Sequence, residues 1–238
     1  KNLDGGWLYE GSPAKPVRKI AANELEGWRK GLLVEDGDTP VNLRGELPPL
    51  DMSPFLNQAS GGGPLYSLGS KSPQIDPKGY VAPTAAVIGD VRTSVGTSVW
   101  FSTVMLGAGT SITLGKNSNV QDNSILMASV DRGPISIGQE VTIGHNVRMG
   151  SCQIGDHCLI GMGSEICDNV VVEDGAIVGA RAFVESGTIV KEGYVWAGRP
   201  ASEFRPVKSE ELAYFQRGTD VYVGYSKTYL EEQSANSS

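Results

Sequence analysis

The chain has 238 residues and a net charge of −7, from 20 Lys+Arg against 27 Asp+Glu. That length holds one large domain, or one domain with a long extension. An acidic chain with no basic block argues against nucleic acid, whose binding relies on positive charge to displace counterions, and no apolar run approaches the ~20 residues of a membrane span.

Lys1 is not a Met, and the residues after it lack the charged-then-apolar order of a secretory signal. A removed targeting sequence and a trimmed chain would each explain that start. The first recognisable segment is WLYEGSPAKPVRKI, Trp7–Ile20, and VWAGRPASEFRPV near the other end echoes it. With Gly11 set on Gly198, the two run without a gap. Pro13 then falls on Pro200, Ala14 on Ala201, Arg18 on Arg205, and Glu24-Leu25 on Glu211-Leu212. Ala22–Lys30 reads as a short helix. Residues 31–78 have no period and carry Pro40, Pro48, Pro49, Pro54, Pro64 and Pro73 among their seven prolines, with the triplet Gly61-Gly62-Gly63. They read as an extended linker ordered by lying on a neighbour.

From residue 81 an aliphatic residue recurs every six positions. The anchors are Val81, Val87, Val99 and Met105; Leu114, Val120 and Leu126; Ile137, Ile143 and Met149; then Ile154, Ile160, Ile166, Val172, Val178, Val184 and Val190, with Thr93 the one polar member. Period six fits neither a helix nor a half-buried strand. It fits a coil that turns a corner every six residues, stacks aliphatic side chains inside and bends at Gly. Three such faces make a triangular prism of about six turns. Cys152 and Cys158 sit one hexad apart at an inward position, which makes them small core residues. Three cysteines are also too few for a disulfide framework and suggest a reducing compartment. Phase breaks at 106–113, 127–136 and 150–153 predict loops or irregular corners. After Pro206, apolar or aromatic residues at Leu212, Phe215, Tyr222, Tyr225 and Tyr229 predict one amphipathic helix on a flank of the prism, with Ser209 as its N-cap.

Only two histidines are present, His145 and His157. No HExxH motif, Cys-Cys metal knuckle or nucleophile elbow accompanies them. GTSITLGK, Gly109 to Lys116, misses the phosphate-cradling loop by one residue and reads as a repeat corner.

VAPTAAVIGDV (Val81–Val91), SVWFSTVMLGAG (Ser98–Gly109), NVQDNSILM (Asn119–Met127), VTIGHNVRMGSC (Val141–Cys152), LIGMGSEI (Leu159–Ile166) and VWAGRPA (Val195–Ala201) together resemble the γ-class carbonic anhydrases. The resemblance covers roughly residues 75–230 and is nearest the mitochondrial branch that sits on respiratory complex I. It implies three zinc-ligand histidines. This chain has Met127 at the first, His145 at the second and Gly150 at the third. The family's Arg and Asp before them fall on Leu106 and Ala108. Zinc needs imidazole, thiolate or carboxylate, and a catalytic site uses three protein ligands and a water. The resemblance also implies a zinc between subunits, with the middle histidine facing two from a neighbour. His145 would therefore bind zinc only with a complete partner. Gln121, Asp122 and Asn123 match the family's Gln-Asp-Asn and are expected to hydrogen-bond turn backbone and interface.

These readings combine into an all-β solenoid: a left-handed parallel β-helix of hexapeptide repeats with a C-terminal α-helix and an extended N-terminal arm. Residues 1–74 are the arm and linker, 75–205 the β-helix and 206–238 the helix and tail. The expected function is a non-catalytic assembly subunit of a γ-carbonic anhydrase-like heterotrimer on the membrane arm of complex I, at the matrix side of the mitochondrial inner membrane. No cofactor is expected in its own site, with zinc only at a hybrid interface. Its partners would be other γ-carbonic anhydrase-like chains and complex I membrane-arm subunits. Alternatives are a CO2 hydratase active through a hybrid site, a hexapeptide acyltransferase, or an interaction module like the hexapeptide subunits of dynactin. Segment 7–30 then resembles the family's exit from its last coil, set at the wrong end, either from a lost tandem copy or from a longer precursor. Its Trp7, Tyr9 and Trp28 are expected to dock on a partner.

Overall fold

The structure, a computed structural model, describes residues 7–10, 15–19, 35–36, 39–40 and 57–236. It divides into two compact units, Lys1–Met52 and Ser53–Ser238. In the first, Trp7–Glu10 runs antiparallel to Lys15–Lys19, and Glu35–Asp36 pairs antiparallel with Thr39–Pro40. Trp7 and Tyr9 lie on the first of these strands. Trp28 and the helix expected over Ala22–Lys30 lie outside the described residues.

The second unit is a parallel β-helix whose registers run from anchor to anchor. One face stacks Leu65, Val87, Met105, Leu126, Met149, Ile166 and Val184. A second stacks Thr93, Leu114, Ile137, Ile154, Val172 and Val190. The third stacks Val81, Val99, Val120, Ile143, Ile160, Val178 and Trp196. The stacked aliphatic residues are at most 3% exposed except Leu65, at 9%, whereas Thr93 is only half-buried. Burying each such side chain contributes roughly 1.5–3 kcal/mol. Backbone groups are satisfied one coil away, as in Ile125 N–H to Val147 O at 2.8 Å. Asn117, Asn123, Asn146 and Asn169 take φ of 57°, 59°, 56° and 61° at the corners, a region Asn tolerates better than most residues.

Two expectations need correction. The coil has seven rungs on two faces rather than about six turns, because Pro64–Tyr66 already pairs in parallel with the strand Ala86–Thr93. Pro64–Tyr66, inside the supposed linker, is therefore the first rung of one face. The glycine triplet serves close approach: a Cβ on Gly61 or Gly63 would strike Val81, and Gly61 has φ +101°. Composition alone could not separate a flexible Gly run from a packed one.

Two of the phase breaks, expected as loops or irregular corners, take different forms. Val104–Leu114 is one continuous strand whose register slips between Gly107 and Ile112. The break after Met127 is a turn closed by a Ser129–Gly133 bridge.

After a hairpin of Tyr194–Gly198 with Ala201–Pro206, helix α1 spans Ser209–Asn236 and lies against the third face. Its first turn is organised by Glu211 rather than by Ser209. The Lys208 N–H donates to Glu211 Oε2 at 3.0 Å, and Arg205 donates to both carboxylate oxygens at 2.7 Å. The contact face also differs from the expected stripe. Leu212, Tyr225 and Tyr229 are exposed, while Thr219 and Ser226 are 3% and 2% exposed. Small residues let the helix approach closely, so the bulky ones flank the contact. The rings of Tyr222 and Tyr229 still reach Trp100, at 5.3 and 5.8 Å between centroids.

Candidate functional site

The candidate site lies at the corners of one coil, the coil carrying Ile143, Met149 and Ile154. His145 is the second residue after the Ile143 anchor. One coil back, Asp122 is the second residue after Val120. The parallel register stacks these two positions, and Asn146 N–H donates to Asp122 O at 2.9 Å. The His145 Nδ1 therefore meets Asp122 Oδ2 at 2.9 Å, both side chains about one third exposed. A carboxylate on one ring nitrogen fixes the imidazole and leaves Nε2 for another partner. Phase counting would have found this pair; pairwise spacing, 23 residues, conceals it.

Gly150 ends the next face and follows a different logic. A Cβ there would collide with Asp168 Oδ1, from the coil above. That same oxygen accepts the Ser151 N–H at 2.9 Å. The arrangement recurs at Gly138 with Asp156, which accepts the Gln139 N–H at 3.0 Å, and at Gly155 with Asp174, which accepts the Asp156 N–H at 2.8 Å. Gly150 is thus one member of a repeated brace in which a carboxylate occupies the space a side chain would need. Its φ is not positive, so a larger residue would meet close approach, not backbone strain, and the Asp168 side chain would have to shift to admit it.

Met127 is half-exposed on the strand Ile125–Ser129. Leu106 pairs with it from the coil below, and Ile88 pairs with Leu106. Apolar residues therefore form an outward column on this face. Gln121 is 6% exposed and donates to Asn119 Oδ1 at 3.2 Å; Asn119 reaches Thr142 Oγ1 at 3.0 Å, which lies 3.3 Å from Thr219 Oγ1 on α1. Of the Gln-Asp-Asn triplet, Gln121 thus joins a polar chain towards the helix, Asp122 holds His145, and Asn123 turns the corner. His145 also edges an apolar groove of about 810 Å³ between α1 and the third face, lined by Met162, Tyr214, Val221 and Tyr222.

His157 sits three residues after the Ile154 anchor with φ +57°, the slot Asn146 fills in the His145 corner. Its Nδ1 lies 3.2 Å from Glu140 Oε2, which also accepts from Gln216 at 3.3 Å. The two histidines are therefore not equivalent. Cys152 and Cys158 are buried, free thiols. Burial pushes both above their usual range, Cys158 to about 12, which makes them poor nucleophiles.

These residues do not fit a catalytic zinc on their own. A thioether, a hydrogen and one imidazole stand where three strong donors are needed. Among the described residues no group of three or more His, Cys, Asp or Glu converges.

The coil defines a hexapeptide solenoid. Residues 151–186 match the model described as bacterial transferase hexapeptide (six repeats), and 134–166 match the hexapeptide repeat of succinyl-transferase. Gamma carbonic anhydrase 1, mitochondrial, of Arabidopsis thaliana is 34% identical over 76% of this chain and 67% of its own length. Gamma carbonic anhydrase 2, mitochondrial, of the same plant is 35% identical over 71% of this chain and 63% of its own length. A solved hexapeptide transferase family protein from Anaplasma phagocytophilum is 36% identical, with a TM-score of 0.67 over 69% of this chain and 97% of that one. The chain belongs to the γ-carbonic anhydrase family.

Proposed function

We propose that this protein is a non-catalytic assembly subunit of a γ-carbonic anhydrase-like heterotrimer, carried on the membrane arm of complex I at the matrix side of the mitochondrial inner membrane. The Gly150–Asp168 brace carries the first half of this reading. The third ligand position is not merely empty of a donor; a structural carboxylate occupies its space. The mitochondrial relatives support the compartment, and the resemblance to the complex I branch supports the attachment. No helix among the described residues is long and apolar enough to cross a membrane, so attachment would run through partner chains. The apolar column of Ile88, Leu106 and Met127 offers a dry contact where the family places charged and ligating groups.

Native mass spectrometry of the intact assembly tests this. The expected result is one trimer holding this chain with other γ-carbonic anhydrase-like chains and co-migrating with complex I. A homotrimer that never associates with complex I would overturn it.

One observation favours a second reading. Asp122 holds His145 by Nδ1, which is the support a zinc-ligating imidazole uses. A partner supplying two histidines could complete a hybrid site, and zinc in the heterotrimer lost on His145→Ala would establish it.

A further inference from the structure

The two ends of the chain share a fold as well as residues. The exit from the last coil is a hairpin of Tyr194–Gly198 against Ala201–Pro206. Its pairs are Tyr194 with Pro206, Val195 with Arg205, Trp196 with Glu203 and Ala197 with Ser202, with a register shift between Val195 and Trp196. Near the other end, Trp7 pairs with Lys19, Leu8 with Arg18, Tyr9 with Pro16 and Glu10 with Lys15, with a register shift between Leu8 and Tyr9. Setting Gly11 on Gly198 carries each pair onto its counterpart, irregularity included. A bulge is a specific local device, placed where a strand must bend or stop pairing. Two hairpins that share register and bulge position are one structural unit present twice.

The C-terminal copy has a defined task. Val195 and Trp196 extend the parallel ladder from Ile177 and Val178, and the outer strand then closes the third face. An open sheet edge is a pairing hazard, so a solenoid needs such an end. Arg205 next clamps Glu211 and starts α1. The N-terminal sequence keeps Arg18 and Glu24 as the counterparts of that clamp.

We propose that residues 7–19 are a second end-cap, and that their seat is the last third-face strand of a hexapeptide solenoid other than the one built by residues 57–206. Leu8 and Tyr9 add in parallel to that strand, in the register that Val195 and Trp196 adopt on Ile177 and Val178. This chain's own Ile177–Val178 strand already carries Tyr194–Gly198, so the partner is a solenoid whose last coil is left open. Recognition is by strand addition, with backbone hydrogen bonds supplying affinity and the small and aliphatic side chains of a hexapeptide coil supplying fit. The inference goes beyond the assembly role above, since it requires neither zinc nor complex I.

Two measurements on the full chain test it. In the first, residues 194–206 are replaced by the sequence of residues 7–19, or by those same residues in permuted order. The ordered chimera should melt within ~5 °C of the parent, and the permuted one should lose ~10 °C or more. An ordered chimera no more stable than the permuted one would overturn the equivalence. In the second, a photo-crosslinking residue at position 8 is activated in the native assembly. The crosslinked peptide should map to the last coil of another hexapeptide-repeat segment. Crosslinks to any other fold, or none, would refute the proposed seat.

Discussion

Two corners of one coil, at His145 and at Gly150, show opposite ways of leaving a zinc site. At His145 the side chain is kept, exposed and oriented by Asp122. At Gly150 there is no side chain, and Asp168 of the next coil fills that volume and accepts the Ser151 N–H. The first corner could serve a metal if a partner brought ligands. The second has been converted to a structural brace shared with Gly138 and Gly155. Restoring a ligand here therefore also requires the Asp168 side chain to move.

The largest effect should come from forcing the closed corner open. Gly150→His should destabilise the coil by roughly 2–3 kcal/mol through overpacking against Asp168. Combining it with Asp168→Gly should recover part of that loss, and denaturant unfolding of the double-mutant cycle measures the coupling. A Gly150→His chain as stable as the parent would remove the contrast between the corners. With Met127→His added to the relieved double variant, zinc binding should become detectable in a homotrimer.

A second test uses acid. Arg205 and the Lys208 N–H pull the Glu211 carboxyl from 4.5 down to about 2. A depressed carboxyl pKa stabilises the fold above its unfolded value and loses that contribution as pH falls through the folded one. The clamp that seats α1 beside the His145 groove should therefore weaken between pH 4.5 and about 2. Thermal melts over that range should fall more steeply for the parent than for Glu211→Gln; parallel curves would show that the clamp contributes nothing.

Asp122→Asn should cost under about 1 kcal/mol, because exposed ion pairs are weak. A loss above 2 kcal/mol would make this corner as structural as its neighbour. The smallest effect belongs to Tyr80→Phe. The Tyr80 hydroxyl is buried without a hydrogen-bond partner, and burial raises it to about 12. Removing it should leave stability unchanged or slightly higher, as read from the unfolding midpoint.

The interior was legible because one aliphatic residue in six must be dry, and Ile160, Val172 and Val184 all are. The face of α1 was legible in part: Tyr222 and Tyr229 of the apolar stripe do reach Trp100, while Leu212 stays exposed and close approach selects Thr219 and Ser226. The start of the coil escaped for a related reason: Leu65 has no aliphatic partner six residues on, and its packing depends on glycines that read as linker. At the candidate site, the ligand positions Met127, His145 and Gly150 could be named from the resemblance. What fills them could not. Asp168 lies eighteen residues from Gly150, one full coil, and its role emerges only when the corners are stacked.

The proposed loss of activity rests on Met127 and Gly150 at two ligand positions. The direct test is to load the purified chain alone with zinc and measure bound metal together with CO2 hydration by stopped flow. No stoichiometric zinc and a rate equal to buffer are expected. Zinc-dependent turnover above buffer that disappears on His145→Ala would contradict it.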